Sequence, residues 1–237
     1  MTADSRLRVS ARGDVTEVTF DHPPINVYDV ATRDALCEVL GAVLADPDVR
    51  VIVFRAEGEH FSAGADLKEF GTAPSVWAMR DARWARDVWG LLRSVEVPMI
   101  ASVHGYAVGF GFELALQCDF RVAADDCIVA LPESRIGMIP AGGASQTLPR
   151  VRGTGVALRT ILTAERISAA DAFARGLVDE VVPRAELRSC TDALADRIAA
   201  FPPRAVRAAK AAAWAALDLP LPAGLAREAD LARTLVG

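Results

Sequence analysis

The chain has 237 residues, of which 52% are hydrophobic and 24% charged, with a formal net charge of -5. That length and apolar share suffice for one large domain or two small ones. Basic residues are mostly single arginines scattered on helical stretches, and no run of about eighteen uninterrupted apolar residues occurs, so neither a nucleic-acid partner nor a membrane span is expected.

From the N-terminus, "LRVSARGDVTEVTFDHPP" (7–24) reads as two short strands around a Gly-Asp turn, stopped by Pro23 and Pro24. "VYDVATRDALCEVLGAVLAD" (27–46) carries apolar residues at helical spacing, and "DVRVIVFRAEG" (48–58) is a β-branched strand ending in charge and glycine. "EHFSAGADLKEF" (59–70) is a loop running into a helix. The spacing predicts one long amphipathic helix over 75–97, with Trp77 and Trp84 on one face, where they pack or line an acyl pocket, and Trp89 near its end. Pro98 ends it. "MIASVHG" is a buried strand, "GFELALQC" a helix, and "DFRVAA" and "CIVALPE" are strands. From about Ala144 the chain is helical to about Leu217, apart from the extended "LVDEVVP", and no final helix is expected after Leu219. Two strand–helix–strand units and a helical tail give an α/β class. We divide the chain at 1–143 (core) and 144–237 (helical region), within one integrated catalytic domain.

Three histidines, His22, His60 and His104, are too scattered for a metal site. The cysteines Cys37, Cys118, Cys127 and Cys190 show no CxxC spacing, and "MTADSRLRVS" lacks the apolar core of a secretory signal, so a cytoplasmic location is expected.

Between Ile100 and Leu116 the only formally charged residue is Glu113. A buried carboxylate is costly unless paired or hydrogen-bonded, so this acid is either satisfied or used. Three segments could use it. In "FSAGADLKEF", Gly64 lets the backbone approach a ligand and the following helix turns free N–H groups toward the loop. In "GYAVGFGFEL", the N–H groups near Phe110 are donors at a helix start, able to stabilise a negative oxygen. In "LPESRIGMIPAGGASQTLPR", Glu133 ends an apolar strand, and a Gly-rich loop precedes another helix. Each alone has a plain structural reading: a turn capped by Asp66, close helix–strand packing, and a solvated acid paired with Arg135. Jointly they hold what enolate chemistry needs, namely backbone donors for an oxyanion and two carboxyl groups to take and give a proton. No GxSxG elbow, P-loop or complete dinucleotide fingerprint is present.

These segments, in this order and at these separations, resemble the crotonase superfamily, the enoyl-CoA hydratase/isomerase family; "DHPPINVYD" around Asn26 matches its first loop, and the likeness covers roughly residues 7–215. The resemblance implies a crotonase-like spiral of ββα units with a C-terminal α-helical trimerisation region, and a homotrimer or dimer of trimers. It implies an acyl-CoA thioester substrate, with coenzyme A part of the substrate and no other cofactor or metal. Carried over by position, the backbone N–H groups of Ala65 and Phe110 form the oxyanion hole. Glu113 and Glu133 are the catalytic pair. Ala63, Gly64, Asp66, Leu67, Lys68 and Gly109 line the CoA path. Retention of both glutamates points to an enoyl-CoA hydratase rather than another acyl-CoA enzyme of the family. Phe110 stands where glycine is commoner, and its ring is expected to narrow the acyl pocket.

Overall fold

The computed structural model describes residues 6–72 and 85–236. Strands β1 (Leu7–Arg12) and β2 (Val15–Phe20) pair antiparallel around Gly13, whose φ of 58° suits the turn. After β2 every neighbour in the main sheet is parallel: β3 (Val51–Ala56), β4 (Met99–Val103), β6 (Phe120–Ala124) and β9 (Glu180–Val182), in the order β1-β2-β3-β4-β6-β9. Parallel neighbours require crossovers. Helix α1 (Val30–Ala45), capped by Asp29 accepting from Thr32 N–H at 2.8 Å, joins β2 to β3. Helices α2 (Leu67–Thr72) and α3 (Val88–Ser94) lie between β3 and β4. A smaller sheet, β5 (Tyr106–Val108), β7 (Ile128–Ala130) and β8 (Ile167–Ser168), branches off between β4 and β6, with α4 (Phe110–Gln117) following β5.

The continuous apolar run of β3 is explained by burial on both faces. Ile52 and Phe54 join a core with Leu36, Leu92 and Phe112, whereas Val51 and Val53 join a second with Ile100, Ala195 and Ala199. The second face is covered by α8 (Leu187–Ala199), which follows α5 (Ala144–Arg152), α6 (Thr154–Thr163) and α7 (Ala169–Ala174). Beneath α8, buried Arg55 meets Asp192 of that helix and Glu17 of β2, so this charge on the covered face is internally paired. Helices α9 (Pro203–Ala215) and α10 (Leu221–Arg233) close the chain.

Four expectations change. The helix expected over 75–97 does not run through: within the described residues the chain bends at 85–87, and Asp87 caps a fresh start by accepting from Gly90 N–H at 2.9 Å. Trp77 and Trp84 lie outside the described residues. Strands β5 and β8 carry three and two residues, too few to show an alternation. Residues 221–233 form a terminal helix that Pro222 and Gly224 disguised; Pro222 sits in its first turn, where its missing N–H costs nothing. The helical region also contributes β8 to the small sheet, in addition to the extended "LVDEVVP" read from the sequence, which holds β9.

His104, at the end of β4, is buried, and burial pushes its imidazole down from 6.5 to about 4, with the Arg184 charge adding to the effect. The folded value lies below the unfolded one, so the unfolded chain takes up the proton first. Stability therefore falls as pH drops from about 6.5 to about 4, by roughly 3 kcal/mol for this group, and levels off below. Urea unfolding at pH 7 and pH 4.5 tests this. The stability gap between wild type and His104→Asn should narrow by about 2–3 kcal/mol at the lower pH, and an unchanged gap would contradict the assignment.

Candidate active site

The register of the small sheet assembles the site. Ser62 bridges Ala107 in parallel, with Val108 N–H donating to Ser62 O at 2.9 Å, so the 62–66 loop lies alongside β5. On its other side Tyr28 N–H donates to Gly64 O and Asp66 N–H to Tyr28 O, both at 2.9 Å. Buried Asn26 anchors the neighbouring turn through Nδ2–H bonds to Glu57 O and His60 O, and its own carbonyl accepts from the Ser62 hydroxyl. Gly64 has φ 99°, and a Cβ there would stand 3.1 Å from Val108 O, so two constraints ask for glycine at this position.

The 62–66 and 108–110 loops therefore touch, and the sequence-expected donors sit on them. Among the described residues, neither Ala65 N–H nor Phe110 N–H donates to an acceptor in the chain. Phe110 opens α4, where first-turn N–H groups have no intrahelical partner. Its side chain turns inward: the ring stacks on Tyr28 at 3.8 Å and packs near Phe20 at 6.1 Å and Trp89 at 5.5 Å. The expectation that this ring stands in an acyl pocket gives way to a core aromatic cluster, because Tyr28 and Phe20 offer it apolar surface behind the loop.

Both glutamates flank the first turn of α4. Glu113 is buried, and its Oε1 accepts from Gly142 N–H at 2.7 Å and Ala144 N–H at 3.3 Å, the latter opening α5. The Gly-rich loop thus folds its amides and a helix N-terminus onto the acid, which answers the burial cost raised by the sequence. Glu133 comes from the other direction. Val108 pairs with Ala130, and Gly109 N–H donates to Ala130 O at 2.9 Å, so the chain leaving β7 passes the start of α4. Glu133 begins a 3-10 turn (Glu133–Ile136) rather than ending the strand, and a Cβ on Gly109 would lie 3.0 Å from its Oε1. Ala63, Asp66, Leu67 and Lys68 follow the same loop outward to an increasingly open edge, where Leu67 is 58% exposed and Lys68 is exposed. Asp66 Oδ1 accepts from Lys68 N–H at 2.8 Å, the capping role read from the sequence.

The site roles of four residues escaped the sequence reading. The amides of Gly142 and Ala144 hold Glu113, a role that the glycine pair before a helix hints at. Trp89 lies flat against the same peptide: a Cβ on Gly142 would fall 2.2–2.7 Å from three atoms of its indole. Gln117, one turn beyond Glu113, donates from Nε2 to Gly142 O at 3.2 Å, fixing the next peptide of the same loop.

Residues 10–236 match the family model described as enoyl-CoA hydratase/isomerase. The chain is 34% identical over 224 residues to a carnitinyl-CoA dehydratase of Salmonella paratyphi A, covering 92% of this chain and 84% of that one. It resembles the solved enoyl-CoA hydratase of Bacillus anthracis with a TM-score of 0.93 at 33% identity, covering 98% of this chain and 91% of that one. A Thermobifida fusca YX protein solved in complex with CoA gives a TM-score of 0.90 at 29% identity, covering 98% and 93%.

The Trp89–Gly142 contact predicts a coupling. Gly142→Ala should cost roughly 1–3 kcal/mol of stability by driving a methyl into the indole. The double variant Trp89→Ala/Gly142→Ala should cost less than the sum of the two singles by about 1 kcal/mol or more, measured by urea unfolding. Strict additivity would show that the two residues do not meet.

Proposed function

The chain belongs to the enoyl-CoA hydratase/isomerase family, and from that premise we propose that it is an enoyl-CoA hydratase. It would add water in the syn sense across the double bond of a 2-enoyl-CoA to give a 3-hydroxyacyl-CoA. The observation that carries this reading is the placement of two carboxyl groups, Glu113 and Glu133, around the start of α4, where Phe110 N–H and, on the adjoining 62–66 loop, Ala65 N–H have no acceptor among the described residues.

In this mechanism the thioester carbonyl accepts from Ala65 and Phe110 N–H, which stabilise the enolate oxygen as it gains charge. Glu113 begins ionised, held by Gly142 and Ala144 N–H, and takes a proton from the water that attacks C3. Glu133 begins protonated and delivers its proton to C2. The net addition is one H and one OH, and a proton transfer from Glu113 to Glu133 resets the pair. Ala63, Gly64, Asp66, Leu67, Lys68 and Gly109 would border the CoA path along the same loops. The likeness to a protein solved with CoA supports this substrate class. The carnitinyl-CoA dehydratase relative runs water elimination by name, which the same pair would perform in reverse.

The reading includes a homotrimer or a dimer of trimers. Its support is apolar surface left open on the helical region, at Leu158, Leu162, Phe173, Leu221 and Leu225. Sedimentation should show three or six chains at micromolar concentration, and a stable monomer would contradict it.

The activity test is direct. Purified protein should remove the conjugated enoyl absorbance of crotonyl-CoA, and Glu113→Gln and Glu133→Gln should each lower kcat by about 100-fold or more. No hydration, together with isomerisation of a 3-enoyl-CoA, would replace the hydratase reading with the isomerase one, which needs a single proton carrier.

A further inference from the structure

A cavity of about 450 Å³ lies away from the thioester centre, between the C-terminal ends of α3 and α4, helix α5, and the closing pair α9–α10. The distance follows from α4 itself. That helix begins at Phe110 beside the proposed oxyanion donors and ends at Gln117 on the cavity wall, seven residues or about 10 Å along its axis. The floor is apolar, made by Leu92, Val95, Met99, Ala211 and Trp214, the first three buried.

The wall is cationic. Arg93, Arg150, Arg207, Lys210 and Arg227 face Glu96 and Asp218. Two of these cations are already engaged: Lys210 with Asp119 at 2.8 Å, and Arg207 with the carbonyl oxygens of Pro47 and Val49. Among the described residues Arg150 bonds neutral Gln146, and none of Arg93, Arg150 and Arg227 forms an ion pair. An apolar floor under exposed, unpaired guanidinium groups suits one kind of molecule. Toward the thioester centre, Gln117 bonds Gly142 O and Thr147 Oγ1 at 3.2 and 3.3 Å and stands between the cavity and Glu113.

We propose that this cavity is a second ligand site, for an aliphatic chain carrying an anionic head group. The occupant is a free alkanoate, its chain on the apolar floor and its carboxylate outward at the guanidinium rim.

Calorimetric titration of the full chain with decanoate tests the site. The expected result is saturable binding at one site per chain. Decanol should bind at least tenfold more weakly. Ala211→Trp, which fills the cavity, and Arg93→Glu/Arg227→Glu, which reverses the rim, should each weaken decanoate at least tenfold. Both rim residues are exposed, so that variant carries the test if the tryptophan variant does not fold. Turnover supplies a second readout: Ala211→Trp should leave KM for both crotonyl-CoA and 2-decenoyl-CoA unchanged, and a tenfold rise in KM for 2-decenoyl-CoA alone would overturn the proposal by giving the cavity to the uncharged acyl tail. No saturable binding by wild type, or equal binding by a folded Ala211→Trp variant and wild type, overturns the proposal. Because binding is read by heat, a protein that failed to hydrate crotonyl-CoA would still test this site.

Discussion

A carboxylate in an apolar interior must be met by donors, and in this chain the donors are the peptides at Gly142 and Ala144. Much of the surrounding structure serves that contact. The loop that supplies the amides is held by Gln117 on its carbonyl side and by the indole of Trp89 on its face. Gly143 adopts φ 105°, a conformation open to glycine that swings the chain into α5 and points its first N–H groups inward. Trp89 in turn reaches the Phe110 ring, so the residue that opens α4 and the loop that holds Glu113 lean on one aromatic side chain. A change at any of these positions moves the acid relative to the donors ahead of it.

The second carboxyl group depends on sheet register rather than on the same loop. Val108 and Ala130 are cross-strand partners, and this single pairing sets Gly109 beside the chain that leads to Glu133. A slip of one residue would turn β7 over and send Glu133 away from α4. The two acids are thus delivered by separate devices, a helix turn for Glu113 and a parallel strand pair for Glu133. Long separation along the chain becomes closeness because β5 and β7 are neighbours in a sheet of three short strands.

Much of this was legible in the residues, and the rest was hidden for identifiable reasons. The buried-strand character of "VRVIVF" and the helical spacing of 30–45 follow from patterning that a sheet covered on both faces enforces. Glu113 announced itself as a lone charge in an apolar run, and the glycines at 64 and 109 as places where two backbones meet. Strands of two or three residues cannot show a period, so β5 and β8 were invisible, and with them the register that places Glu133. Pro222 and Gly224 concealed the last helix because composition speaks more loudly than position in a first turn. The partners of Glu113 are backbone amides, which carry no side-chain signature, so only three dimensions reveal them. The Phe110 ring turned to the core because Tyr28, more than eighty residues earlier, lies parallel to it, a long-range contact no local pattern contains.

The central claim is that two backbone donors and two carboxyl groups converge on one acyl thioester. A crystal structure of the protein with acetoacetyl-CoA, whose 3-keto group leaves no double bond to hydrate, tests it most directly. The account predicts the thioester oxygen within hydrogen-bond distance of Ala65 and Phe110 N–H, with C2 and C3 lying between the carboxyl groups of Glu113 and Glu133. A thioester bound elsewhere on the molecule, or seated in the two loops with either carboxyl group turned away from C2 and C3, would contradict it.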